Sequence, residues 1–103
     1  MKRRVVITGF GAITPIGNTV EEMWQGIKDK KCGIDNISLF DASTFKTKLD
    51  AEVKNYNPLD YFEAKQAKRL DRCSQFALIA SREAVKTSGI TKEGTKQQSY
   101  NIL

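Results

Sequence analysis

The stretch Val5-Val6-Ile7-Thr8-Gly9-Phe10-Gly11-Ala12-Ile13-Thr14-Pro15-Ile16-Gly17 decides how this chain is read. Val5-Val6-Ile7 is a short β-branched run without polar alternation, the pattern of a strand covered on both faces in a mainly parallel sheet. It predicts a layered α/β fold. Gly9 and Gly11 punctuate the end of the run, and Pro15-Ile16-Gly17-Asn18 turns the chain toward a helix. The glycine pair follows a strand, as a dinucleotide-binding fingerprint does. Thr14, however, stands where the third Gly or Ala belongs, and Pro15 follows where the helix should already be running. A structural tight turn is the expectation, and no nucleotide or other cofactor is implied.

Working outward, Thr19-Val20-Glu21-Glu22 reads as a capping box, with the Thr19 hydroxyl accepting from the Glu22 amide and the Glu22 carboxylate reaching back to the Thr19 amide. Val20, Met23, Trp24 and Ile27 follow at i, i+3, i+4 and i+7, so one apolar face of a helix is expected to pack into a core. Lys28, Lys30 and Lys31 crowd its end, where cations suit the macrodipole, and Gly33 is the expected stop. Residues 33–46 read as a loop, with a short strand around Ala51-Glu52-Val53. Asn57-Pro58 places a cap before a proline at the first helical position, which predicts a short helix through Tyr61. Ala64 to Ser88 contains no Gly or Pro and Gly89 follows as a stop, so a long, largely buried helix with room for a break near Asp71 is expected. Leu70, Cys73, Ala77, Ala80 and Ala84 step by three or four along it, a stripe of mostly small residues suited to close packing.

With 103 residues, 40% hydrophobic and 28% charged, the chain has room for one domain with a modest core and is not compositionally disordered. It offers neither a long apolar run for a membrane span nor the apolar region of a secretory signal, so no membrane role and a cytoplasmic location are expected. The net charge of +5 favours an acidic partner, whether nucleic acid, an anionic surface or an acidic protein.

Lys65, Lys68, Arg69 and Arg72 fall at i, i+3, i+4 and i+7 and make a compact cationic stripe. It reads either as a solvated helix face or as a docking surface for carboxylates or phosphates. Aromatic residues do not interleave with it, which argues against nucleic acid. Cys32 follows Lys30 and Lys31, yet the chain contains no histidine to serve as its base, and a loop cysteine without a role is expected. Cys73 reads as a small buried hydrophobe. The two cysteines lack Cys-x-x-Cys spacing, and Asp35, Asp41, Asp50 and Asp60 lack calcium-loop spacing, so no metal site and no acid–base pair are implied.

The segment from Arg3 to Asn18 resembles the start of the β-ketoacyl-acyl carrier protein synthases of the chain-elongating type. The resemblance continues through Glu22-Met23-Trp24, Cys32-Gly33-Ile34-Asp35, residues 51–58 and Lys68-Arg69-Leu70-Asp71-Arg72-Cys73-Ser74-Gln75-Phe76-Ala77. It implies an α/β chain forming the N-terminal portion of a thiolase-like fold of layered sheet and helices. It implies a cytoplasmic homodimer that condenses acyl-acyl carrier protein with malonyl-acyl carrier protein, giving the 3-oxoacyl product, CO2 and free carrier protein.

The family's cysteine nucleophile and its two histidines lie beyond the matching segments, so the resemblance assigns no catalytic residue here and neither cysteine matches the nucleophile. It does imply that Lys65, Lys68 and Arg69 contact the acidic face of acyl carrier protein. It departs near Gly94, where Gly94 to Leu103 replaces an apolar strand. Residues 1–103 are thus expected to be a partial N-terminal ketosynthase domain, truncated before the catalytic residues and inactive alone. Two alternatives stay open: a non-catalytic module binding acyl carrier protein, and a small basic protein binding nucleic acid.

Overall fold

A computed structural model of the chain describes residues 2–90, so the expected polar loop over 91–99 lies outside the described residues. Helices α1 (Val20–Lys28), α2 (Ala64–Arg69) and α3 (Arg72–Ser88), one 3-10 turn (Pro58–Asp60) and strands β1 (Ile34–Asn36) and β2 (Leu49–Ala51) give an α/β chain. It divides into two compact units, one made of residues 13–57 and the other of the described residues 2–12 and 58–90.

In the first unit, the Thr14 and Gly17 backbones exchange hydrogen bonds of 2.8 and 3.2 Å across a tight turn. Helix α1 starts on its predicted cap: the Glu22 amide donates to the Thr19 hydroxyl at 3.1 Å, and that hydroxyl donates to the Glu22 carboxylate at 3.3 Å. The helix stops earlier than expected. Lys30, at φ 54°, takes the left-handed position usually held by glycine, its amide donating to the Ile27 carbonyl at 3.1 Å and that of Lys31 to Gly26 at 2.8 Å. These two bonds form a Schellman motif, which closes the carbonyl end three residues before Gly33. Gly26, rather than the large apolar residues, is the buried residue of α1, and Ile16 lies directly above it. Trp24 remains 56% exposed and Ile27 50%, so the expected apolar face is only partly covered.

The region read as a loop contains β1, and the second strand lies two residues earlier than predicted. They pair antiparallel with Ile34 opposite Ala51, Asp35 opposite Asp50 and Asn36 opposite Leu49. Strands of three residues carry too little side-chain alternation to register in sequence. Their ends are tied by side chains: Lys54 Nζ donates to the Gly33 and Glu52 carbonyls at 2.9 and 2.8 Å, and the Glu52 carboxylate accepts from the Ser38 hydroxyl at 2.6 Å and the Leu39 amide at 3.2 Å.

In the second unit, the predicted long helix is broken where Asp71 stands. Leu70 leaves α2 with extended backbone, and the Asp71 side chain accepts from the Ser74 amide at 2.7 Å, capping α3. Gly89 ends α3 at φ 73°, as its sequence predicts. The buried face of α3 carries Gln75 and Ile79, with Arg82 one turn further on, and the small-residue stripe is split. Cys73 and Ala77 are exposed, which corrects the reading of Cys73 as a buried hydrophobe.

Ala80 and Ala84 meet the segment carrying Gly9 and Gly11. A Cβ on Gly9 would lie 2.5 Å from the Ala84 carbonyl oxygen, and one on Gly11 would overlap the Ala80 carbonyl. Neither glycine has positive φ, so close approach to the helix, and not a tight turn, is what requires them. The Ala12 amide donates to Glu83 Oε1 at 2.9 Å and the Thr87 hydroxyl to the Phe10 carbonyl at 3.3 Å, fastening this segment along α3. Val5, Val6 and Ile7 just before it are 93%, 68% and 85% exposed and form no strand. A strand needs a neighbouring backbone, and none pairs with these residues among those described.

Candidate functional site

Three of the four residues of the cationic stripe belong to one short element. Lys65, Lys68 and Arg69 lie at i, i+3 and i+4 on α2, and all three are exposed. Arg72 does not extend their face, because the break at Asp71 places it in the first turn of α3, where its guanidinium sits 5.0 Å from the centre of the Phe76 ring. Among the described residues no ion pair or hydrogen bond engages the side chains of Lys65, Lys68 or Arg69. Their charges are directed to solvent.

Helix α2 is short and needs support from its surroundings. Its N-cap residue, Glu63, makes no side-chain cap hydrogen bond. Support comes from the packed 3-10 turn Pro58–Asp60 and, through side-chain hydrogen bonds, from α3. Gln75, 5% exposed, donates its carboxamide to the carbonyls of Ala67 and Leu70, both at 3.0 Å, satisfying acceptors that the end of a helix leaves open. At the entry to α2, Arg82 donates from Nη1 to the Tyr61 carbonyl at 3.1 Å and lies 4.9 Å from the centre of the Phe62 ring. Phe62 is itself buried.

Gln75 and Arg82 are seven residues apart and share the buried side of α3 with Ile79, so one helix face holds both ends of the basic segment. Sequence reasoning missed both residues. Their i, i+4, i+7 spacing with Ile79 is the available signal, but a glutamine and an arginine at those positions read as solvent-facing until the elements they grip are known.

Four acidic groups, Asp41, Asp50, Glu52 and Asp71, are perturbed by their local contacts. Hydrogen bonds from Ser74, its side chain first and then its amide, hold the Asp71 carboxyl below the ordinary aspartate range. Ser43 does the same for Asp41, there mainly through its amide. In the hairpin, burial and then the neighbouring Glu52 charge push Asp50 up, while the Ser38 hydroxyl and the Ser38 and Leu39 amides hold Glu52 down. One open pocket of about 250 Å³ lies over the hairpin loop, lined in part by Phe40, Asp41 and Lys48, in a different unit from Lys65, Lys68 and Arg69. Both cysteines are exposed, with Cys32 Sγ 3.8 Å from the Ile34 carbonyl oxygen. No cluster of metal-ligating side chains forms among the described residues, and no helix among them is long and apolar enough to cross a membrane.

Comparison with known proteins places this arrangement. The chain is 46% identical over 102 residues to the 3-oxoacyl-[acyl-carrier-protein] synthase 2 of Synechocystis sp., a match covering 99% of this chain and 24% of that protein. It is 43% identical over 89 residues to the enzyme of the same name from Coxiella burnetii, covering 86% of this chain and 22% of that one. The solved structure described as the ishigamide ketosynthase/chain length factor superimposes with a TM-score of 0.79 at 34% identity, covering 91% of this chain and 23% of the other. The chain thus spans about a quarter of the length of the relatives it matches, and its fold is the N-terminal portion of a thiolase-like α/β architecture. The sequence profile described as "Beta-ketoacyl synthase, N-terminal domain" matches residues 2–102, and the chain belongs to that family.

Proposed function

We propose that this chain is the part of a fatty-acid condensing enzyme that precedes the catalytic residues, and that Lys65, Lys68 and Arg69 dock acyl carrier protein. The reaction of the whole protein is condensation of an acyl chain carried by acyl carrier protein with malonyl-acyl carrier protein, releasing CO2. The observation that carries this reading is the match, over 99% of the chain, to a relative named for that synthase activity. Docking is supported by three exposed cations on one short helix, unengaged by any described residue and suited in charge to an acidic partner. These 103 residues contain no histidine and therefore cannot assemble a site of one cysteine and two histidines, so by themselves they do not condense. Homodimerisation and a cytoplasmic location belong to the same reading of the whole protein.

The test is titration of purified acyl carrier protein into the 103-residue chain, with a malonyl-dependent condensation assay beside it. Binding is expected at low salt, weakening as salt rises, and Lys68→Glu with Arg69→Glu should lower affinity by about tenfold or more. Absence of binding, or binding indifferent to the charge reversal, removes the docking assignment. Condensation by the clean chain removes the assignment of inactivity.

A further inference from the structure

We propose that Gln75 is a positioning residue for the basic helix: its carboxamide fixes the last turn of α2 and so aims Lys65, Lys68 and Arg69 before a partner arrives. The proposal deepens the docking reading above and rests on it. A six-residue helix does not hold its own geometry in water. Its start packs on the Pro58–Asp60 turn, and its last turn is gripped by one planar group with two N–H donors, each 3.0 Å from its carbonyl, on Ala67 and Leu70. Two bonds from one rigid plane fix rotation as well as distance. Ala67 sits between Lys65 and Lys68, so rotation of that turn would swing all three cations together.

Arg82 holds the segment before α2 through the Tyr61 carbonyl and the Phe62 ring, which leaves the last turn dependent on Gln75. With both ends held, the helix is ordered before binding, and the cost of ordering it does not fall on the complex. Gln75 is buried and is placed to act through α2 without touching the partner.

The experiment compares full chains. Gln75→Met keeps the side-chain length and removes both donors, while Ile79→Ala loosens the same buried face without touching the α2 carbonyls. Each folded variant is titrated with acyl carrier protein at low salt. Gln75→Met should weaken binding about tenfold, the equivalent of one charge-assisted contact, with Ile79→Ala staying within about twofold of the unsubstituted chain.

Unchanged affinity in Gln75→Met overturns the proposal, and so does an equal loss in Ile79→Ala, which marks a merely structural role. If Gln75→Met does not fold, hydrogen exchange of the unsubstituted chain decides. The Ala67 and Leu70 amides should then be protected like those of α3, and fast exchange confined to α2 overturns the clamp. Binding that is lost in Lys68→Glu but kept in Gln75→Met leaves docking standing and removes this proposal alone. Failure of the unsubstituted chain to bind removes both.

Discussion

The corner between α2 and α3 and the run Val5-Val6-Ile7 belong to the same unit, and they are opposites. At the corner a glutamine and an arginine are folded inward, and charged side chains face outward. In the run three of the most apolar residues of the chain face solvent. A corner of this kind closes with partners less than about thirty residues away in sequence, because side chains on one helix reach back to the turn before it. A strand has no such recourse. Its hydrogen bonds and both its faces must be supplied by other strands and helices. The contrast shows that apolarity predicts burial only where the covering element is also at hand.

Substitution at the corner should have the largest effect. Phe62→Ala empties a buried position and removes the ring under Arg82, and chemical denaturation should register a loss of about 3–4 kcal/mol. A loss under 1 kcal/mol, the size expected of a surface site, would show that the corner is not the better-packed region. A smaller effect is expected from acid at Asp71. Hydrogen bonds from Ser74 lower its pKa, so the charged form is the stabilising one. The stabilisation is present above the ordinary aspartate value, near 3.9, and is lost as pH falls through the depressed one. Helicity followed by circular dichroism should therefore drop at acid pH, and Asp71→Ala should remove the part of that drop due to this group.

The smallest effect is expected in the exposed run. Val6→Ser should change stability by no more than about 0.5 kcal/mol in the 103-residue chain. A loss several times larger would mean that residues 5–7 are covered in solution, and the comparison would collapse.

The same contrast explains what was legible in the sequence. The Thr19 cap, the Gly89 stop and the break at Asp71 are decided within one or two helical turns, and the spacing of local residues displays them. The basic residues of α2 were legible because charge density does not depend on tertiary context. The packing face of α3 was not. A stripe of small residues through Cys73 and Ala77 looked like the buried side, but the burial lies on Gln75 and Ile79, on the face where the end of α2 meets Gln75 and the Phe62 ring meets Arg82. The β1–β2 hairpin escaped for another reason. Its strands are three residues long, and Asp35 opposite Asp50 is a pairing that sequence rules disfavour. The stop at Lys30 was hidden by residue type, since lysine seldom takes the backbone conformation it adopts there.

The approach of Gly9 and Gly11 to α3 has a genetic consequence. The atoms that a side chain at either position would strike belong to the backbone at Ala80, Ala84 and Ser88, and every amino acid placed at those sites carries the same atoms. No second-site change of side chain on α3 can therefore make room for a substitution at Gly9 or Gly11. At Gly26 the nearest obstruction is again main chain, the Ile16 carbonyl oxygen at 2.9 Å, with the Ile16 side chain standing further off at 3.3 Å. A screen for suppressors should therefore recover no compensating side-chain change at Ala80 for Gly11, at Ala84 for Gly9 or at Ile16 for Gly26, a pattern of inheritance set by main chain standing in the way.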